Sequence, residues 1–256
     1  MLAGLVAIAW IALMTWSRSP YGRYVNHPSW FDIGPGAALC SAIPGGSIIL
    51  PALLHTLAWM TMIAAMMLPT TLPLLDRFRR LIMPRADRHV LLGLVIAGYL
   101  AVWGAFGLAA HGVDRIVLAA FERSPWLALH GWAAGAAVIF VAGAFQFSSL
   151  KYRCLEQCRS PLSFVMSHWH GPTPRRSAFA LGAHHGAFCV GCCWALMLLM
   201  FVVGTGSIGW MLALGAIMAV EKNLPWGRRL STPLGVALLT WAAAIVAINL
   251  GAGNAA

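Results

Sequence analysis

The chain has 256 residues, 60% of them hydrophobic and 9% charged, with a mean hydropathy of +0.78, where a typical soluble domain carries about 25% charged residues. So little polar surface cannot cover a water-soluble globule, and so much apolar content excludes a disordered chain. The formal net charge of +10, from 17 Lys and Arg against 7 Asp and Glu, would point to nucleic acid in a soluble domain, but in so apolar a chain it has to be read by position.

A helix that crosses a bilayer core of ~30 Å needs about 20 apolar residues. Taken in chain order, the candidates are Leu2–Trp16, Ile48–Pro69, Val90–Ala110, Ala128–Leu150, Ala178–Val203, Thr205–Glu221 and Thr232–Leu250. Leu2–Trp16 has no basic residue ahead of its apolar run and no Ala-x-Ala-like site within Ser17–Tyr24, so it reads as a short first helix and not as a signal peptide. Residues 17–47 are rich in Pro and Gly and read as an outer loop, and the composition leaves open whether its second half re-enters the membrane. The expected fold is all-α, a polytopic integral membrane helix bundle of about seven transmembrane helices, six plus the short N-terminal one. It forms one domain over residues 1–256, with Lys151–Ser177 as the longest linker.

Short cytoplasmic loops carry the excess of Lys and Arg. Thirteen of the basic residues fall on one side of this arrangement: Arg77, Arg79, Arg80, Arg85, Arg88, Lys151, Arg153, Arg159, Arg175, Arg176, Lys222, Arg228 and Arg229. Four, Arg18, Arg23, Arg115 and Arg123, fall on the other. The asymmetry places the amino terminus in the cytoplasm and the carboxyl terminus outside an inner membrane. It accounts for the positive charge by lipid contact, with no nucleic acid, and the Arg77–Arg88 cluster reads as an anchor on anionic headgroups.

Several motifs dissolve in this context. Gly204-Thr205-Gly206-Ser207-Ile208-Gly209 spells the dinucleotide fingerprint, but that glycine pattern works only between a strand and a helix; here it turns one apolar helix into the next. Gly131-x-x-x-Gly135 and Gly182-x-x-x-Gly186 are small-residue patterns expected to serve close helix contact. No nucleophile elbow, phosphate loop or zincin pattern occurs, so nothing marks a catalytic apparatus.

The informative residues are sulfur and imidazole. Cys154 and Cys158 follow the fourth apolar segment. Cys189, Cys192 and Cys193 lie within the fifth, just after His184 and His185. Counting 1.5 Å per residue puts Cys189 about 16 Å deep, and at 100° per residue His185, Cys189, Cys192, Cys193 and Met200 share an arc of roughly 100°. On the second segment His55, Met62 and Met66 form a stripe, with both methionines at a depth matching the cysteines, as is Met211 on the sixth. Met60, Met67, Met83 and Met218 read as core packing, the usual role of Met in apolar helices. A mixed Cys, Met and His set suits Cu(I) best, and Zn(II) on Cys189, Cys192, His184 and His185 is the alternative. The candidate metal ligands are therefore Cys189, Cys192, Cys193, His185, Met62 and Met66, with Cys154 and Cys158 as inner-loop ligands; His168 and His170 could hand a metal on from the loop, but loop histidines are more often solvated. Cys40, alone in the outer loop, implies no disulfide framework. Glu221 and Lys222 read as a plain interfacial ion pair.

Trp59-Met60-x-Met62 with Ala65-Met66-Met67-Leu68-Pro69, the run Gln146–Pro161 with Cys154-Leu155-x-x-Cys158-Arg159-Ser160-Pro161, the string Gly182–Met197 and Glu221-Lys222 together resemble a bacterial family of predicted metal-binding integral membrane proteins of unknown function. The likeness covers about residues 53–226 and implies metal binding, without assigning ligands. The sequence thus supports an inner-membrane protein that binds Cu(I) for transport or for exchange with a metal donor or acceptor protein. A thiol-disulfide oxidoreductase joining Cys154 and Cys158 to Cys189, Cys192 and Cys193 is the alternative, and a scaffold whose sulfurs only pack is the third reading.

Overall fold

In hydrocarbon every backbone N–H and C=O must be satisfied within the chain, which leaves helices as the structure for such apolar segments. The computed structural model describes residues 2–17, 49–124, 126, 130–170, 173–203 and 207–253, and among them are ten α-helices and no strand. In chain order they are α1 (Leu2–Ser17), α2 (Ile49–Met66), α3 (Leu72–Leu81), α4 (Arg88–Arg123), α5 (Gly131–Phe145), α6 (Ser149–Arg159), α7 (Pro161–His168), α8 (Pro174–Val203), α9 (Ile208–Asn223) and α10 (Ser231–Gly253). Each of the seven apolar segments contains an α-helix among its described residues. The outer loop, Cys40 and Gly204-Thr205-Gly206 lie outside the described residues.

The seven-span expectation is not reached by length and composition. Three helices suffice alone, Arg88–Arg123, Pro174–Val203 and Gly227–Gly251, and two bent pairs raise the count to five if each is one span. The bends have local causes. After α2, Pro69 sits in a 3-10 turn, Leu68–Thr71, and Pro73 opens α3; proline has no N–H to donate and is tolerated only in a first helical turn. The pair turns by 48° there. After α5, Ser148 caps α6 by accepting the Lys151 amide at 3.1 Å, and the chain turns by 63°. The first apolar helix is a shorter one, Gly4–Thr15, and α9 has 16 residues.

The expected linker Lys151–Ser177 is largely helical, because the Ser148 cap and Pro161 at the start of α7 each nucleate a turn. The helix expected over Val90–Ala110 runs on to Arg123; its 36 residues span about 54 Å, well beyond a ~30 Å core.

Between membrane helices, association rests on close packing and hydrogen bonds. The most extensive contact joins α4 to α8. A Cβ at Gly182 would overlap the Val95 carbonyl, one at Gly98 would overlap the Phe179 carbonyl, and one at Gly186 would lie 3.1 Å from the Tyr99 carbonyl. The Gly182-x-x-x-Gly186 pattern therefore serves close helix contact. α5 packs on α10, α6 on α8, and α1 on α2. Large apolar side chains such as Ile8, Ile11, Ile116, Phe140 and Ile248 point outward and are exposed, a surface suited to lipid.

Candidate metal centre

α8 is apolar on all sides, as a buried helix is, and its single run of soft donors lies in the core: His185, Cys189, Cys192 and Cys193 are all buried. The Cys192 and Cys193 thiols turn back onto their own helix, donating to the Cys189 carbonyl at 3.1 and 2.8 Å, and their sulfurs are 3.5 Å apart. Cys189 Sγ also interacts with the Cys192 and Cys193 side chains. It meets the Tyr99 hydroxyl of α4 at 3.0 Å and accepts from the Lys222 ammonium of α9 at 2.8 Å. The same ammonium lies 4.0 Å from Met67 Sδ, and the Tyr99 hydroxyl donates to the Met67 carbonyl at 3.4 Å.

Cys154 and Cys158 ride on α6, which packs along α8. Cys154 is buried and lies against Gly191, where a Cβ would sit 2.6 Å from its sulfur. Cys158 is half-buried and shares a thiol hydrogen bond with Cys192. The bend before α6 thus brings a pair expected in a loop onto the helix of the other three. All five described cysteines are free thiols.

The methionine stripe is buried, but Met66 packs on Gly215 of α9, with a Cβ there 3.7 Å from the Met66 side chain. Met62 joins the same core cluster. The His55 side chain lies outside the described ones. Met67, read from sequence as packing, is the thioether beside Lys222 and Cys189. Met83 is exposed, and Met60, Met200, Met211 and Met218 line the core or its rim.

His185 lies between Tyr99 and Phe164, ring centroids 5.9 and 5.4 Å away, and its Nδ1 has no hydrogen-bond partner. Its ring borders a small apolar cavity with Leu68, Thr71, Val95 and Tyr99. His184 is exposed and pairs with His168, rings 5.2 Å apart, while His168 stacks on Phe164 at 4.2 Å. His170 is exposed. The four residues named for a tetrahedral Zn(II) site are not drawn together, and no group of three or more His, Cys, Asp or Glu suited to a metal occurs among the described residues.

Glu221 and Lys222 do not pair with each other. Adjacent residues on a helix face different directions, and each finds a separate buried partner. Glu221 takes the Lys151 ammonium at 2.7 and 2.9 Å and the Ser231 hydroxyl at 2.6 Å, and Lys151 also donates to the Gln146 side chain. Arg159 donates to the Glu221 and Pro225 carbonyls. None of Lys151, Gln146, Ser231, Tyr99 and Met67 was read from sequence as part of the site. Tyr99 offered a signal, a polar group inside an apolar helix; the ionisable Glu221 and Lys222 offered another.

The fold and this centre define a class: an all-helical protein with apolar helices long enough for a membrane and a buried, sulfur-rich core. Residues 56–245 match the model of the PpoB2 family, described as copper chaperone, and the chain belongs to that family. The match supports a copper-related family and not the particular family of unknown function that the sequence resembled. No curated protein and no solved structure matches the chain.

Proposed function

We propose that this protein is a membrane-embedded copper carrier, taking Cu(I) into the sulfur-lined centre of α8 and passing it across the bilayer or to a partner protein. The observation that carries the reading is the Cys189 thiol, fully buried and met by a cation from α9, with Cys192 and Cys193 beside it and Cys158 of α6 interacting with Cys192. Copper in its reduced state suits thiolate and thioether donors at low coordination number, whereas Zn(II) asks for four converging ligands. Cys154 and Cys158 lie between the half-exposed face of α6 and Cys192, which suits exchange with a soluble donor or acceptor. His168, His184 and His185 approach the same centre from the α7 side. The amino terminus is assigned to the cytoplasm and the carboxyl terminus to the outside of an inner membrane.

Elemental analysis of protein purified from copper-replete cells tests this directly. Wild type should carry copper, and Cys189→Ser and Cys193→Ser should each lose most of it. Wild type without copper, or a triple Cys189, Cys192 and Cys193 to Ser variant that keeps it all, overturns the proposal. The contact of Cys158 with Cys192 favours one other reading, a dithiol that reduces a partner's disulfide to two thiols as it closes to a disulfide between α6 and α8. Thiol titration of freshly prepared membranes with and without reductant separates the two.

A further inference from the structure

Within the reading of copper as cargo, we infer that the ion is held between Cys189 Sγ and Met67 Sδ, at the position occupied by the Lys222 ammonium. An ammonium is compact and strongly hydrated, and sulfur is a weak acceptor. Yet among the described residues both acceptors of Lys222 Nζ are sulfur, Cys189 Sγ at 2.8 Å and Met67 Sδ at 4.0 Å. The carboxylate next door in sequence, a far better partner, is committed to Lys151. A cation confined to a thiol and a thioether marks a place whose donors match a soft cation.

The two distances bound the separation of the sulfurs at no more than about 7 Å, and two bonds of zinc–sulfur length, about 2.3 Å, need collinear donors about 4.6 Å apart, a separation within that bound. Met67 stands at the break between α2 and its 3-10 turn, where a small backbone shift moves Sδ. Tyr99 ties the halves together, its hydroxyl contacting both Cys189 Sγ and the Met67 carbonyl. The competing donors are engaged otherwise: Cys192 and Cys193 donate their thiol protons to the Cys189 carbonyl, and Met66 is packed on Gly215. Charge also favours exchange: with Cys189 as thiolate in both states, replacing the ammonium by Cu(I), each carrying one positive charge, leaves the net charge of the buried site unchanged. The flexible stem of Lys222 lets its head withdraw toward the inner end of α9.

The test uses the full chain labelled throughout with selenomethionine, loaded with Cu(I) and measured by copper-edge X-ray absorption. A copper–selenium shell should be present in wild type, persist in Met62→Leu and Met66→Leu, and vanish in Met67→Leu, a swap that conserves volume. Competition with a Cu(I) chelator should show Met67→Leu binding about tenfold more weakly or worse. A selenium shell that survives Met67→Leu, is lost in Met66→Leu, or is missing from wild type overturns the assignment. In each of those cases copper that still depends on Cys189 leaves the carrier reading standing, whereas copper indifferent to all cysteines removes both.

Discussion

Replacing Lys151 by Met removes the ammonium from a buried ion pair of the bundle. Glu221 would keep the Ser231 hydroxyl at 2.6 Å but lose both Nζ contacts, at 2.7 and 2.9 Å, in a site where the lysine and carboxylate side chains are 0% and 3% exposed. Removing one partner of a buried pair costs about 3–5 kcal/mol, because the other charge stays desolvated. The surviving hydrogen bond to a charged group, worth about 1.5–3 kcal/mol, pulls the expectation to the lower end. At ~2–4 °C per kcal/mol for a chain of this size, Tm should fall by roughly 6–12 °C in detergent, followed by far-UV circular dichroism. The Lys151→Met/Glu221→Gln double variant should recover most of that loss, since removing both charges of a buried pair is close to neutral. A double-mutant cycle reads the coupling. A single variant within about 2 °C of wild type, or a double variant as low as the sum of the singles, would refute the argument that this pair is dry and mutually dependent.

Gly182→Ala and Gly98→Ala should each destabilise by about 1–3 kcal/mol or more, as α4 and α8 are pushed apart, while Gly93→Ala, where nothing lies within 4 Å, should be neutral or better; equal thermal shifts for all three would show that the helices do not cross as described. An impermeant maleimide should label half-exposed Cys158 faster than Cys154, which is 8% exposed, and should do so in inverted vesicles only. Labelling restricted to right-side-out vesicles would reverse the orientation assigned from Lys and Arg.

Apolar runs made the helices legible, and 3.6-residue periodicity was enough to place His185, Cys189, Cys192 and Cys193 in the core as one set. What it hid was direction. Spacing puts the three cysteines on one arc, but only the tilt of each side chain decides that two bond their own backbone while Cys189 faces Lys222. Partner choice was hidden too: Glu221 reaches Lys151, 70 positions away, across a bend set by Ser148 and Gln146. Two local signals were available and outweighed by composition, the serine cap of α6 and Pro161 at the head of α7, which together make helices of a supposed linker. Met67 was hidden for a different reason, since a methionine in an apolar stretch looks the same whether its sulfur meets carbon or a cation.

The glycine crossing of α4 and α8 has a mechanical consequence. With backbone seated against backbone at Gly98, Gly182 and Gly186, the two helices behave as a single beam, and Tyr99 and Cys189 are fixed to it. Any widening of the pocket falls to the opposite jaw, where α2 gives way to its 3-10 turn at Met67 and the last turn of α9 carries Lys222. The pocket is a vice with one stationary face, and the proline-broken hinge is its screw.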